Sequence, residues 1–495
     1  MGDNSDKVYY FGIIALAAYF IFRLVDQAKI ITYFPLDYVN DVSSVLAQLY
    51  FLAEFGFHQI VPYWYNGFNL FLAYYPGWFY FALPIYYLTK NLQLTWYLAL
   101  IIVYILAFFL FLILSKIERF SITKGIFFFF LFFANPIAIG NFIRLGRTAE
   151  FFGWLFFIAL FTLIIYFKER KIDKRFLLFI PLYAGFILTH PMPLILISLF
   201  LLSLFLVKDI KEKIFILVGF ITAVIITSFW WVDYVLNLKN TSTFITNYGD
   251  NLLNLEGRFL LSNLAGMLTA FCFILLFYFY YKNRKNKKEL LFYIPSLILA
   301  VIFLFRLVNF MPILRNIQPD SYTLFFLFLG FYLFLKVDIS RHIKLKYIAY
   351  SALIILPIIF IIISIMYVPL YKEHGKIEKE FNSLMLLIEG RYMIVGSVYS
   401  TPLAKAYYSY NAIFYNLSTP FGWSNQYASK ELNEKLSDVG NSFRDRDYDI
   451  FINTFKDLDL SEIATFGEHC DYLDSLNEFK LVKKTESTCL YKIRD

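Results

Sequence analysis

Twelve strongly apolar segments divide the chain, at roughly 8–25, 69–89, 92–115, 122–143, 150–167, 176–189, 191–207, 214–232, 259–281, 290–307, 321–336 and 346–368. Several approach the ~20 residues that an α-helix needs to cross a bilayer, and segments apolar on every face have no side to turn to water. The pattern predicts a mainly α, polytopic helical membrane protein. Segment 69–89 is the exception. Pro76, Gly77 and Pro84 interrupt a regular helix there, and its Tyr and Trp residues favour the headgroup level. Segment 69–89 is therefore expected to be an interfacial or re-entrant juxtamembrane piece, leaving about eleven transmembrane helices. Beyond about residue 369 the apolar runs stop. Arg391–Tyr399 reads as a buried strand and Phe479–Ile493 as a hairpin turning near Glu486 and Ser487, with helical patches at 430–439 and 470–479. The expected organisation is a transmembrane domain over 1–368, with a first outer loop at 26–91, followed by a small α/β domain over 369–495. The first apolar run has neither a basic flank nor a small-residue cleavage site, and reads as a retained helix.

Composition agrees with this picture. Of 495 residues, 59% are hydrophobic and 21% aromatic, and the mean hydropathy is +0.60. The formal charge of +8 would suggest nucleic acid in a soluble protein, but here Lys and Arg cluster in the short loops between apolar runs, which is the signature of membrane orientation. With the N-terminus cytoplasmic and 69–89 not crossing, twenty Lys and Arg fall on the cytoplasmic side and eight on the other. If 69–89 crosses, the bias reverses. The charge pattern thus predicts a multi-pass protein of the cell membrane with its C-terminal domain extracytoplasmic and no nucleic-acid partner. Of three cysteines, none forms a CxxC; Cys470 and Cys489 lie in the tail, where an oxidising compartment would permit a disulfide.

The same orientation gathers polar helix ends onto the outer face. Asp37 and Asp41 follow the first apolar segment. In a helix their spacing of four places both carboxylates on one face, suited to general-base work on a hydroxyl or to a divalent cation such as Mg or Mn. The alternative is Asp37 as an N-cap and Asp41 as a solvated charge. Arg144, Arg147 and Glu150 form the junction RLGRTAE. Arginine forks match phosphate oxygens, and an Arg147–Glu150 pair at i, i+3 is the structural alternative. His190, in THPMP, is either a donor to phosphate or a helix cap. The Trp230-Trp231 pair reads as an interfacial anchor. P-loop, GxGxxG, HExxH and GxSxG patterns are all lacking, and no spanning segment carries a central row of ionisable residues.

Asp37 with Asp41, Gly56, Pro62-x-Trp64, Asn66-Gly67, Tyr75-Pro76 and Tyr86-Tyr87 resemble a pattern of the GT-C superfamily of polyprenyl-phosphate-dependent glycosyltransferases. Within it, the chain looks most like a prokaryotic membrane family labelled 6-pyruvoyl-tetrahydropterin synthase-related. Asp41 stands where relatives often carry a His, and Gly77 where they often carry a second Pro. The resemblance implies a first outer loop bearing a catalytic acid, Asp37 with Asp41 beside it. Arg144, Arg147, Glu150, His190, Trp64 and Tyr75 would be contacts to substrate or phosphate, with no certain cofactor beyond a possible divalent cation. The implied donor is a sugar on a polyprenyl phosphate, and the acceptor a surface glycan, lipid or protein. WWVDY is not the oligosaccharyltransferase signature WWDYG, because Val232 is inserted and the Gly is missing.

A lipid or polysaccharide transporter or flippase, or a non-catalytic surface-assembly protein, is the competing class, and neither needs a base. The topology is open to direct test. A cysteine placed at Lys90 should react with a membrane-impermeant reagent in intact cells, and one at Lys171 only after permeabilisation. Labelling of both from the same side rules the arrangement out.

Overall fold

The computed structural model describes residues 3–36, 41–237, 257–337, 343–395, 402–423 and 425–494. The chain divides into two compact units. The first comprises Met1–Gln27, Leu100–Ser228 and Ile245–Leu370; the second comprises Ala28–Ala99, Phe229–Phe244 and Tyr371–Asp495. The second thus joins the first outer loop to the tail, where a cut along the sequence at 368/369 separates them.

The first unit is helical throughout its described residues. Among the described residues of the whole chain, four helices are long and apolar enough to cross a membrane: Tyr9–Ile31, Leu92–Glu118, Thr148–Lys168 and Asn263–Lys282. The number rises to six if each of two bent pairs is one span. The first bent pair has a local cause. Segment 122–143 is a helix only over Ile122–Phe133; Pro136 then opens a new piece that runs through Arg144 at 55° to the first. Asn135 caps that restart, its Oδ1 accepting the backbone N–H groups of Ile137 and Ala138, each at 3.0 Å. The interior is aromatic. Phe111, Phe128, Phe132, Phe157 and Phe161 ring Phe328, with centroids 5.0–6.2 Å apart. Two cations that the charge count assigns to cytoplasmic loops are in fact buried and paired. Lys168 lies 2.6 Å from Glu289, and Lys336 lies 2.7 Å from Glu118.

In the second unit the helix Val42–Phe55 is buried along most of its length. The helix Gly77–Thr89 has 13 residues, about 20 Å at 1.5 Å per residue, which is shorter than a hydrocarbon core of about 30 Å. Strands β1 (Ile60–Val61) and β2 (Phe68–Asn69) pair antiparallel between these helices. The tail builds a four-stranded sheet in the order β3-β4-β6-β5 from β3 (Tyr392–Ile394), β4 (Glu462–Phe466), β5 (Phe479–Lys484) and β6 (Thr488–Ile493). β3 runs parallel to β4, and the other pairs are antiparallel. The terminal hairpin falls where the sequence pattern puts it, and β3 takes up Tyr392–Ile394 of the strand expected over 391–399, of which 396–399 lie outside the described residues. β4 and the helices Lys376–Met385, Pro402–Phe414 and Tyr448–Asp457 are additions to that pattern.

Long-range hydrogen bonds tie loop to tail inside this unit. Tyr371 Oη donates to the Tyr33 carbonyl at 2.6 Å, and Thr419 N–H to that of Tyr63 at 2.9 Å. Tyr50 and Tyr63 hydroxyls both donate to Asn416 Oδ1. Cys470 and Cys489 are joined in a disulfide that fastens the helix Glu468–Asp474 to β6. Closing a loop of this size is worth about 3 kcal/mol through the unfolded chain. Replacing both cysteines by Ser should lower tail stability by about that amount, read as a downward shift of its unfolding midpoint in the detergent-solubilised full chain.

Candidate functional site

The break at Asn135 positions the most polar cluster of the first unit. After Pro136–Ala138 the chain takes a wide π turn over Ile139–Arg144. Gly146, at φ +68°, then lets it reverse into the helix Thr148–Lys168. That path leaves Arg144 at the end of the π turn, buried, with Arg147 at the cap position of the next helix and Glu150 in its first turn. A carboxylate at that turn is favoured by the helix dipole.

Glu150 is 2% exposed. Its Oε1 accepts from Ser321 Oγ at 2.8 Å, and its Oε2 lies 3.9 Å from Arg147 Nη1. Arg147 Nη1 also donates to Gln318 Oε1 at 2.6 Å and lies 3.7 Å from Asp320 Oδ2. Asn141 Nδ2 donates to the same Asp320 oxygen at 3.4 Å. One guanidinium therefore faces two carboxylates and an amide. Its side chain is 25% exposed and that of Asp320 30%, so this edge of the cluster is open. His190 caps the helix Pro191–Val207, its Nδ1 accepting from Met192 N–H at 3.4 Å. It lies against Gly153, where an added Cβ would stand 3.4 Å from the His190 Cβ.

Four predicted residues, Arg144, Arg147, Glu150 and His190, thus gather around the start of the helix Thr148–Lys168. Gln318, Asp320, Ser321 and Asn141 complete the cluster and were missed. The run Gln318-Pro319-Asp320-Ser321 does carry a legible helix-start signal, with Pro in the first turn followed by an acid.

The other predicted residues belong to the second unit. Asp37 lies outside the described residues. Asp41 occupies the cap position of the helix Val42–Phe55, with its side chain making no capping hydrogen bond. Lys405, half-buried, is the nearby cation: burial pushes its ammonium below the usual range, and Asp41 pulls it back up. Trp64 is fully buried, its indole N–H donating to the Tyr408 carbonyl at 3.2 Å. Tyr75 is buried, with its hydroxyl 3.3 Å from that of Tyr234. Trp230 is not an interfacial anchor. It is 3% exposed, and its N–H reaches the carbonyls of Phe71 and Tyr74 at 3.0 and 3.2 Å. Among the described residues no group of three or more His, Cys, Asp or Glu side chains is placed to hold a metal ion.

No protein-family model matches the chain, and no curated protein matches it. Solved structures do. The crystal structure of the Archaeoglobus fulgidus oligosaccharyltransferase with Zn and sulfate matches over 90% of this chain and 68% of its own, at 12% identity and a TM-score of 0.55. The same enzyme tethered to an acceptor peptide containing the NVT sequon matches over 92% and 70%, at 11% identity and a TM-score of 0.52. The cryo-EM structure of the arabinofuranosyltransferase AftD from Mycobacteria matches over 97% of this chain and 40% of its own, at 12% identity and a TM-score of 0.60. This chain therefore spans about two fifths of AftD. At such identities the likeness concerns the fold. The chain shares the fold of these transferases, and among its described residues are helices long and apolar enough to cross a membrane.

Proposed function

We propose that the protein is a membrane glycosyltransferase. It moves a sugar from a polyprenyl-phosphate-linked donor to a glycan, lipid or protein acceptor on the extracytoplasmic side. The observation that carries this reading is the Arg147–Glu150–Asp320 cluster, set at the broken helix end of a GT-C fold. An arginine held between acids at an open edge is a receptor for a phosphate group, because the incoming oxygens match its fork and the carboxylates keep it oriented. Arg144, on the same turn, adds a second positive charge. The finer resemblance to the 6-pyruvoyl-tetrahydropterin synthase-related family, the count of about eleven spanning helices, the juxtamembrane role of Gly77–Thr89 and the outward-facing tail belong to the same reading.

In the reaction, the bond from the anomeric carbon to the phosphate oxygen breaks, and its electron pair leaves with the phosphate. Arg147, with Arg144, offsets the charge that develops there. The acceptor oxygen bonds to the anomeric carbon as its proton passes to a first-loop carboxylate, with Asp37 as base and Asp41 beside it. No step is routed through a cation.

Reconstitution of the full chain with a polyprenyl-phosphate sugar and mixed acceptors tests the reading. Asp37→Asn should lower the transfer rate by roughly 10²–10⁴-fold, the worth of a positioned base. Full transfer by both Asp37→Asn and Asp41→Asn, at normal membrane abundance, overturns the mechanism. A transporter would keep its activity in both. Arg147→Lys keeps the charge but loses the fork. It should raise the KM for the lipid-linked donor about ten-fold or more, as expected for a lost charged hydrogen bond, and an unchanged KM removes Arg147 from the phosphate site.

A further inference from the structure

The second unit contains a trough that neither the carboxylates nor the arginines account for. Two adjoining cavities of about 370 and 330 Å³ share Asn69, Leu72 and Asn237 in their linings, and each is of a size suited to a small ligand. His58 and Asp233 line one end. Tyr65, Phe68 and Tyr427 line the other.

The chemistry of the lining is specific. Asp233 is the charged residue, and neither Lys nor Arg occurs among the described residues that line either cavity. Among the described lining residues a phosphate or another anion would find no counter-charge. Asn69 and Asn237 each offer a donor and an acceptor side by side, which suits vicinal hydroxyls. Phe68 and Tyr427, with ring centroids 4.6 Å apart, supply an apolar wall for the C–H face of a sugar ring. Two polar atoms of the lining are buried without a hydrogen bond among the described residues: His58 Nε2 and Tyr65 Oη. Burial holds His58 below its usual range, against the pull of Asp233, whose Oδ2 lies 3.5 Å from Nδ1. A neutral imidazole presents one donor and one acceptor. The backbone is strained at the same place. His58, Tyr65, Asn66 and Phe71 all have φ between +54° and +66°, the left-handed region that side chains avoid and that recurs where a ligand is gripped. The strain is held from outside the loop. Arg391 donates to Asn66 Oδ1, and Trp230 holds the Phe71 carbonyl.

We propose that this trough is a saccharide subsite that receives a neutral sugar residue of the acceptor. Its role toward the acceptor rests on the transferase reading, and its preference for a sugar rests on the trough itself. The purified full chain in detergent is titrated, without donor, with fluorescently labelled neutral gluco-, manno- and galacto-trisaccharides, and with a peptide containing an N-x-T sequon. At least one trisaccharide should bind saturably. Asn69→Ala and the exposed substitution Asp233→Asn should each weaken that binding about ten-fold, the size expected for a lost hydrogen bond to the ligand. His58→Asn, which keeps a residue tolerant of the left-handed region, should weaken it as well and shows that the loss is not one of folding. The proposal fails if no trisaccharide binds, if all three variants bind as the parent does, or if only the peptide binds. The two readings fail separately. Sugar binding without any transfer overturns the transferase and leaves the trough; transfer with an unchanged acceptor KM in the three variants does the reverse.

Discussion

A helix that breaks in a buried interior must find new partners for the backbone groups it releases, because no water is there to take them. Asn135 meets that constraint in the first unit. Its side chain takes the two N–H groups freed where Ile122–Phe133 ends and Pro136 begins. With the break made tolerable, the chain is free to turn by 55° and unwind into a π segment. Only such a path puts Arg144, Arg147 and Glu150 on one short stretch of chain beside Gln318 and Asp320. The polar cluster is a consequence of one amide placed before one proline.

Burial then fixes what the cluster can be. Glu150 has lost its water and retains Ser321 and Arg147 in exchange, while Arg147 and Asp320 keep part of their surface open. The closed side holds the geometry and leaves the guanidinium one open edge. The ion pairs Lys168–Glu289 and Lys336–Glu118 are closed on both sides and act as fasteners between helices. A charge inside the helical body is thus sorted by whether any of its surface remains open.

Much of this was legible in the sequence. Residues apolar on every face announced the helices, and Pro76 and Pro84 announced that 69–89 would not run as one long rod. The alternation in Phe479–Ile493 announced a hairpin. The cluster around Arg147 was half legible, since RLGRTAE names three of its members. Asp320 and Gln318 lie more than 160 residues away, and no local pattern couples them to it. The wide turn at Ile139–Arg144 was not legible, because 122–143 reads as one apolar run and the break depends on Asn135 using its side chain as a cap. Lys168 and Lys336 were misread as loop cations because their acidic partners are distant in sequence. Trp230 was misread as an anchor for the same reason, its carbonyl partners lying some 159 residues earlier.

The hydrogen bonds from Tyr371 to Tyr33 and from His374 to Phe34 span 338 and 340 positions. The ribosome makes one partner of each pair long before the other. Until Tyr371 and the tail beyond it are in place, the loop that begins at Ala28 has a hydrophobic helix and two short strands with nothing to rest on, and closing so long a chain is slow. The loop from Ala28 is therefore made early and finished late. A lesion anywhere in the tail would be felt first around Asp41, in a segment that the lesion does not touch in sequence.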